Sequence, residues 1–449
     1  MFPGLSERET DSLKDEEMTL ITRFTQLLGT GWSGLFLCSA LLMAGCGGGS
    51  SGGDSSAGGD SSGGGDSNVP TVAVRGVDIS MLETVEAAGG TFQVNGTRQD
   101  LLPLLKAQGV NLVRLRLWVD PKSTSNEVYG GGDSDLARVI RLAKRAKAQN
   151  MAFMLDLHYS DFWTDPAKQY KPKAWANLST DDLVAQVQSY TQEVVTQLIT
   201  AGVAPDYVQI GNEINSGMLW PTGKNWAASG ETVGGFDVLA RLLKAGEAGL
   251  RAAETAGKVT IPAKTILHLA EGGKNDTFRW WFDEITKRGV PFDIIGLSYY
   301  PYWHGTLTEL QTNMDDMVSR YSKPVMVVET AYAFTLENGD SLGNNFGSAT
   351  DVTKGGYPAT PAGQKQFLQD LKAKIAAVPN AQGLGFVYWE PDWLPVNDAT
   401  WTTDVGMLYI PSSCTALAPC SVGNAWENQA LFDFNGDALP ALAEFAAAQ

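Results

Sequence analysis

The sequence predicts a (β/α)8 TIM barrel, and three observations carry that prediction. From Val74 onward, short apolar β-branched runs alternate with longer helical patterns, the rhythm of βα units around a parallel sheet. Eight such runs can be counted. Nearly every one ends in polar or aromatic residues, and active sites of this fold sit at the C-terminal ends of the strands.

In chain order the strand candidates are Arg75–Ser80 (RGVDIS), Val110–Trp118 (VNLVRLRLW), Ala152–His158 (AFMLDLH) and Asp206–Glu213 (DYVQIGNE). Lys264–Ala270 (KTILHLA), Asp293–Tyr300 (DIIGLSYY), Pro324–Thr330 (PVMVVET) and Gly383–Glu390 (GLGFVYWE) complete the set. Helical patterns such as Asp135–Gln149 and Asp181–Ala201 fall between them. A catalytic domain over residues 74–449 exceeds the roughly 250 residues of a minimal barrel, so some βα loops are long.

A chain of 449 residues, 43% hydrophobic and 18% charged, buries at least one large core. Lys and Arg number 33 against 50 Asp and Glu, a net charge of -17, which disfavours a nucleic-acid partner. The three histidines and four cysteines show neither Cys-x-x-Cys nor His-Glu-x-x-His spacing, which argues against zinc-hydrolase, iron–sulfur and haem-attachment chemistry. Thirteen tryptophans are the positive clue.

The N-terminus reads as an address. Residues 27–45 are apolar or small and run directly into Cys46, the layout of an export signal with a small-residue cleavage site. Leu42-Met43-Ala44-Gly45-Cys46 resembles a bacterial lipobox, with Met43 where Leu is usual, and makes Cys46 the expected lipidation site. The alternative is a single transmembrane helix. Residues 1–17 are acidic where a signal should be positive, so Met18 is the better start, with Arg23 as the signal's charge. The signal segment is thus residues 1–45. Residues 46–73 form a Gly/Ser/Asp-rich tether, whose flexible stretch reaches roughly 25 Å. The expected product is an exported bacterial lipoprotein, held by its N-terminal lipid to a membrane at the cell surface or in the periplasm, and monomeric.

The strand ends supply one ring of side chains: Asp78; Arg114, Arg116 and Trp118; Asp156 and His158; Asn212 and Glu213; His268 and Glu271; Ser298 and Tyr300; Glu329; Trp389 and Glu390. Glu213 and Glu329 stand out because each closes an otherwise apolar strand, where an unpaired charge is costly. They end strands four and seven, across the barrel mouth from each other. That placement suits the carboxyl separation of about 5–5.5 Å that retaining glycosidases use, with one group attacking while the other donates a proton.

Around this pair, Asn212 can hydrogen-bond a sugar 2-hydroxyl, Trp389 can floor a pyranose ring, and Arg114 with Tyr300 can hold Glu329 ionised. Each has a plainer alternative. Trp389 can be core, Tyr300 can cap a strand, and Arg114 can pair structurally with Asp156. The aromatic-rich stretches HYSDFW (158–163), MLWP (218–221) and YYPYWHG (299–305) suit sugar faces, whose C–H groups stack on rings.

The ordered text RGVDIS, LVRLRLWVDP, LHYSDFWTDPAKQYKPKAW, VQIGNEINSGMLWP, DIIGLSYYPYWHGTL, KPVMVVETAY, VYWEPDW and ENQALFDFNGDALP resembles glycoside hydrolase family 53, the arabinogalactan endo-β-1,4-galactanases. The resemblance spans Arg75 to the C-terminus. It implies retaining hydrolysis of β-1,4-galactan, polymer or oligosaccharide, as found in type I arabinogalactan of plant pectin. Glu213 of GNE would be the proton donor and Glu329 of VVET the nucleophile. Arg114, Trp118, His158, Asn212, Tyr300 and Trp389 are the expected substrate-binding residues. No cofactor is needed for this chemistry.

One loop departs from the pattern. Some bacterial members of the family carry an acidic, histidine-containing calcium loop after strand seven, where this chain has Asn338-Gly339-Asp340-Ser341-Leu342-Gly343-Asn344. Leu342 cannot ligate a metal and Asn338 offers only a neutral oxygen, so a structural calcium near Asp340 and a solvated Asp/Asn/Gly turn both remain open readings. Cys414 and Cys420, in an exported domain, are expected to form a local disulfide. A mannanase or glucanase with the same paired glutamates is the rival enzyme. A tethered glycan-binding lipoprotein that captures without cutting is the rival of another class.

Overall fold

A computed structural model describes residues 72–397, 399–409 and 421–446. Cys46, the tether, Cys414 and Cys420 lie outside the described residues. Eight parallel strands close into a ring: β1 (Val74–Asp78), β2 (Leu112–Leu117), β3 (Ala152–Leu157), β4 (Tyr207–Ile210), β5 (Lys264–Leu269), β6 (Ile294–Ser298), β7 (Val325–Thr330) and β8 (Gly383–Trp389). Each pairs with its sequence neighbours, and β8 returns to β1 in the register Val74↔Gly385 through Asp78↔Trp389. The expected (β/α)8 barrel is therefore the observed one.

Between the strands run α1 (Leu101–Ala107), α2 (Leu136–Ala148), α3 (Thr180–Thr200), α4 (Gly235–Ala256), α5 (Asn275–Lys287), α6 (Leu307–Tyr321) and α7 (Pro361–Ala376). Their starts follow capping chemistry. Asp135 accepts from the Arg138 amide at the head of α2, Ser179 accepts from Asp182 at α3, and Thr306 with Glu309 forms a reciprocal capping box at α6. Val139, Leu142, Ala143 and Ala146 recur at helical spacing and bury one face of α2.

The alternation of a strand explains the barrel interior, because every second side chain points inward. At the strand starts these inward residues are apolar: Val74, Leu112, Met154, Ile266, Ile294, Met326, Val328 and Val387 form a cluster separate from the larger core between strands and helices. Gly76 and Gly296 keep this layer closed. A Cβ on Gly76 would meet Leu112 at 2.8 Å and Val387 at 2.9 Å, and one on Gly296 would meet Ile266 at 2.7 Å. Further along six of the strands, two residues past the apolar floor or past Gly76 and Gly296, the inward positions become Asp78, Arg114, Asp156, Gln209, His268 and Ser298, all buried. A charged layer thus rests on a dry apolar floor.

Strand four is shorter than the sequence suggests. It ends at Ile210, since Gly211 (φ 89°) and Glu213 (φ 49°) both take left-handed backbone and turn the chain outward. The extra length lies in the connections after β1, β2, β3, β4, β7 and β8. The last of them folds back to the start of the barrel, where Gln93 N–H donates to Gly436 O and Ala438 N–H to Gln93 O, both at 2.9 Å.

Candidate active site

The C-terminal strand ends open into a cleft of about 550 Å³, lined by Arg114, His158, Asn212, Glu213, Tyr300, Glu329 and Trp389 among others. A second cavity, of about 560 Å³, lies at the opposite, N-terminal end of the strands, around Thr265, Phe292, Asp293 and Lys323. That end of a barrel serves stability rather than chemistry.

Arg114 organises the upper layer. Projecting inward from β2 and almost fully buried, its guanidinium meets Asp78 at 2.8 Å, Asp156 at 2.9 Å and Glu329 at 2.8 Å, while Nε donates to Gln209 Oε1 at 2.9 Å. Nη2 also donates to Asn212 Oδ1 at 3.0 Å. Burial works against the cation, but the carboxylates of Asp156, Glu329 and Asp78 outweigh it and raise the arginine pKa further. Tyr300 O–H donates to the second oxygen of Glu329 at 3.2 Å, so each Glu329 oxygen has a donor. Burial raises the Glu329 carboxyl to about 7, with Arg114 opposing and Asp156 and Asp78 adding to the rise.

Glu213 has a different environment. Its Oε1 accepts from Ser298 Oγ at 2.6 Å, and Ser298 Oγ lies 2.8 Å from His268 Nε2. His268 Nδ1 receives Gln209 Nε2 at 3.0 Å and the Glu213 amide at 3.4 Å, so Nε2 carries the proton and donates to Ser298. Burial, reinforced by Arg114, pushes the His268 pKa well below its usual value and keeps the ring neutral. Burial and then the charge of Glu329 push Glu213 well above the ordinary carboxyl range; only Ser298 and, more weakly, Arg114 pull the other way. Among the described residues, no Lys, Arg or His forms an ion pair with Glu213. The pair is therefore asymmetric, with Glu329 the first to ionise and Glu213 the one that keeps its proton.

The turn bearing Glu213 is fixed from outside. Gln169 Nε2 donates to the carbonyls of Asn212 at 2.8 Å and Glu213 at 3.3 Å, and Asn212 Nδ2 donates to Thr164 O at 2.9 Å. On the facing side stands an aromatic wall. Trp389 lies 4.6 Å from Trp426 and 6.0 Å from Trp163, ring centre to ring centre, and Arg116, paired with Glu390, sits 4.4 Å from the Trp163 centroid.

Glu213, Glu329, Asn212, Tyr300 and Trp389 all line the one cleft. Arg114 and His158 are present but occupied: the His158 ring nitrogens engage Thr164 Oγ1 at 2.9 Å and Asp156 at 3.0 Å, so both residues position others. Trp118 is a correction. β2 ends one residue earlier, the Trp118 amide turns to Ser134 O, and the ring is fully buried against Phe162 and Trp163, beneath the cleft rather than in it. As site residues, Gln209 and Trp401 carry no signal in the sequence and Trp426 only the turn text AWENQ, whereas Trp163 closes the aromatic stretch 158–163.

In the loop after β7, both Asp340 oxygens are engaged by backbone amides, Leu342 at 2.7 Å and Asn424 at 2.7 Å, and Asn338 Oδ1 accepts from Asn344 Nδ2 at 2.9 Å. Among the described residues, no group of three or more His, Cys, Asp or Glu is placed to hold a metal ion.

A (β/α)8 barrel with two differently buffered carboxyls in an aromatic-walled cleft defines an enzyme of the glycoside hydrolase class. Residues 74–445 match the model of Glycosyl hydrolase family 53, and the chain belongs to that family. It is 36% identical over 390 residues to the endo-beta-1,4-galactanase of Bacillus subtilis, covering 84% of this chain and 86% of that protein. It is 35% identical over 383 residues to an arabinogalactan endo-beta-1,4-galactanase of Cellvibrio japonicus, covering 83% and 90%. Among solved structures, an Ignisphaera aggregans GH53 catalytic domain superposes with a TM-score of 0.75 at 40% identity, covering 84% of this chain and 97% of that one.

Proposed function

We propose that this chain hydrolyses internal β-1,4-galactosidic bonds of galactan and type I arabinogalactan with retention of configuration. Glu329 attacks the anomeric carbon and forms a glycosyl-enzyme, while Glu213 gives its proton to the departing oxygen. Glu213, now ionised, then takes a proton from water as that water displaces Glu329 from the anomeric carbon. The observation that carries this reading is the asymmetry of the pair: Arg114 holds a charge on Glu329, and Glu213 has only neutral donors. The names of the galactanase relatives support the substrate.

The test is product analysis on β-1,4-galactan, β-mannan and cellulose, together with Glu329→Ala. The variant should lose turnover, and added azide should restore formation of only the inverted product. Release of sugar from mannan or glucan alone would replace the substrate, and no release from any would favour a binding protein.

The lipobox-like text and the glycine-rich tether support a second proposal, that Cys46 is lipidated and the barrel is held at a membrane. Two or more acyl chains are needed for stable anchoring. Cys46→Ala should then move activity to the soluble fraction, and mass spectrometry of an unmodified Cys46 peptide would remove the anchor.

A further inference from the structure

We propose that the indole of Trp226 is a sugar-stacking platform for the departing end of the galactan chain, outside the cleft on the Glu213 side. The inference rests on Glu213 being the proton donor and galactan the substrate. After β4 the chain forms a two-stranded hairpin, Gly217–Met218 against Gly223–Lys224. Gly217 (φ 86°) closes it so tightly that a Cβ there would lie 2.0 Å from Gly223 O.

This hairpin is tied to the acid's own turn. The Trp220 amide donates to Gln169 O at 2.7 Å, and Gln169 is the residue whose side chain holds the Asn212 and Glu213 carbonyls. Asn225 Nδ2 donates to Asn215 O at 2.8 Å, which anchors the far end two residues beyond Glu213. Any displacement of the hairpin would displace the Glu213 turn with it.

The hairpin carries an indole that the fold does not bury. Trp226 is 47% exposed, the larger of two such exposures among the described tryptophans. The other, Trp280, lies on α5 with its ring against Phe236, 5.0 Å away. Lys224 Nζ sits 4.7 Å from the Trp226 ring and 4.8 Å from the Trp220 ring, and Glu231 holds the ammonium at 2.6 Å. One face of Trp226 is thereby fixed by a cation, which pre-orders the ring. The side chain is left with apolar area in water, and a pyranose offers a matching C–H face.

Position selects the occupant. The acid would touch the glycosidic oxygen, so the leaving sugars would extend outward on the Glu213 side, where Asp165–Lys168 line the cleft and Tyr170, just beyond them, pairs with Trp220 of the hairpin. The cleft's own aromatic wall, Trp163, Trp389 and Trp426, is already spent inside. Trp226 does not line the cleft, so only chains long enough to leave it reach the ring.

The experiment compares long β-1,4-galactan with an aryl β-1,4-galactobioside, whose leaving group ends inside the cleft. In Trp226→Ala the KM for galactan, relative to that for the aryl substrate, should rise about three- to tenfold, the scale of one aromatic stacking contact. Trp226→Tyr should restore most of it. An unchanged ratio, or equal losses on both substrates, overturns the platform. Failure of the unaltered enzyme to cut β-1,4-galactan overturns the functional reading instead, and the two failures are distinct.

Discussion

Arg114 Nη2 lies 2.8 Å from Glu329 Oε1 and 3.0 Å from Asn212 Oδ1, so one nitrogen couples the carboxyl on β7 to the residue preceding Glu213. The guanidinium also neutralises Asp78 and Asp156 in a layer with almost no water contact. Charge state and geometry at both glutamates therefore depend on one side chain, which comes from neither of their strands.

Arg114→Lys keeps the charge but loses the fork that serves five partners. We expect kcat on galactan to fall by at least about 100-fold, as for loss of a preorganised electrostatic group. Arg114→Met should in addition destabilise the fold by about 3–5 kcal/mol, because it leaves buried carboxylates without a cation. Steady-state kinetics and urea denaturation check these two effects.

The pH profile of kcat/KM should be a bell. Its acid limb belongs to Glu329, which must lose its proton, and burial places that loss near pH 7 in the free enzyme. Its alkaline limb belongs to Glu213, which must keep its proton and whose pKa is raised further. A rate that still climbs above pH 9 would show that Glu213 is not the acid.

Ser298→Ala removes the hydroxyl that donates to Glu213 at 2.6 Å. That bond favours the ionised form, so its loss should move the alkaline limb to higher pH, while the acid limb stays with Glu329. The magnitude expected in kcat is about tenfold or less, since Glu213 itself remains. A downward shift of the alkaline limb would contradict the relay.

Asp392 is fully buried, both of its carboxylate oxygens lack a partner, and burial followed by the charge of Glu390 pushes its pKa well above the usual carboxyl value. The folded chain thus retains a proton that the unfolded chain releases above pH 4. Stability should decline as pH rises from that point, by about 1.4 kcal/mol per pH unit for one such group, until Asp392 ionises in the fold. Asp392→Asn cannot titrate and should flatten that decline in denaturation curves measured from pH 5 to 8. An unaltered slope would locate the decline elsewhere.

All eight strands are legible because each is a short, mostly buried run rich in apolar and β-branched residues and bounded by turn text, even where inward polar residues such as Arg114 and His268 interrupt it. The sequence pattern runs strand four on to Glu213, because a single glycine inside a strand pattern does not mark an end by itself; the left-handed backbone of Gly211 stops the strand at Ile210. Glu213 and Glu329 were legible as charges that an apolar strand does not need. Gln209 was not, since a neutral amide inside a strand gives no signal until Arg114 and His268 stand beside it. Trp118 failed for a local reason: the chain leaves β2 one residue early, and a side chain that alternation would aim at the cleft is tucked beneath it.

Trp426, far along the chain from the last strand, forms the cleft wall beside Trp389, and the Trp163 indole donates to Trp401 O at 2.9 Å. A ribosome delivers β8 before either of these tryptophans. Both glutamates and Arg114 are therefore synthesised before the two tryptophans that complete the cleft wall. A chain cut short between Trp389 and Trp426 would lose more than that wall, because it would also lose the buried Phe432, Leu442 and Phe445, the last with its ring 5.1 Å from Phe386 of β8.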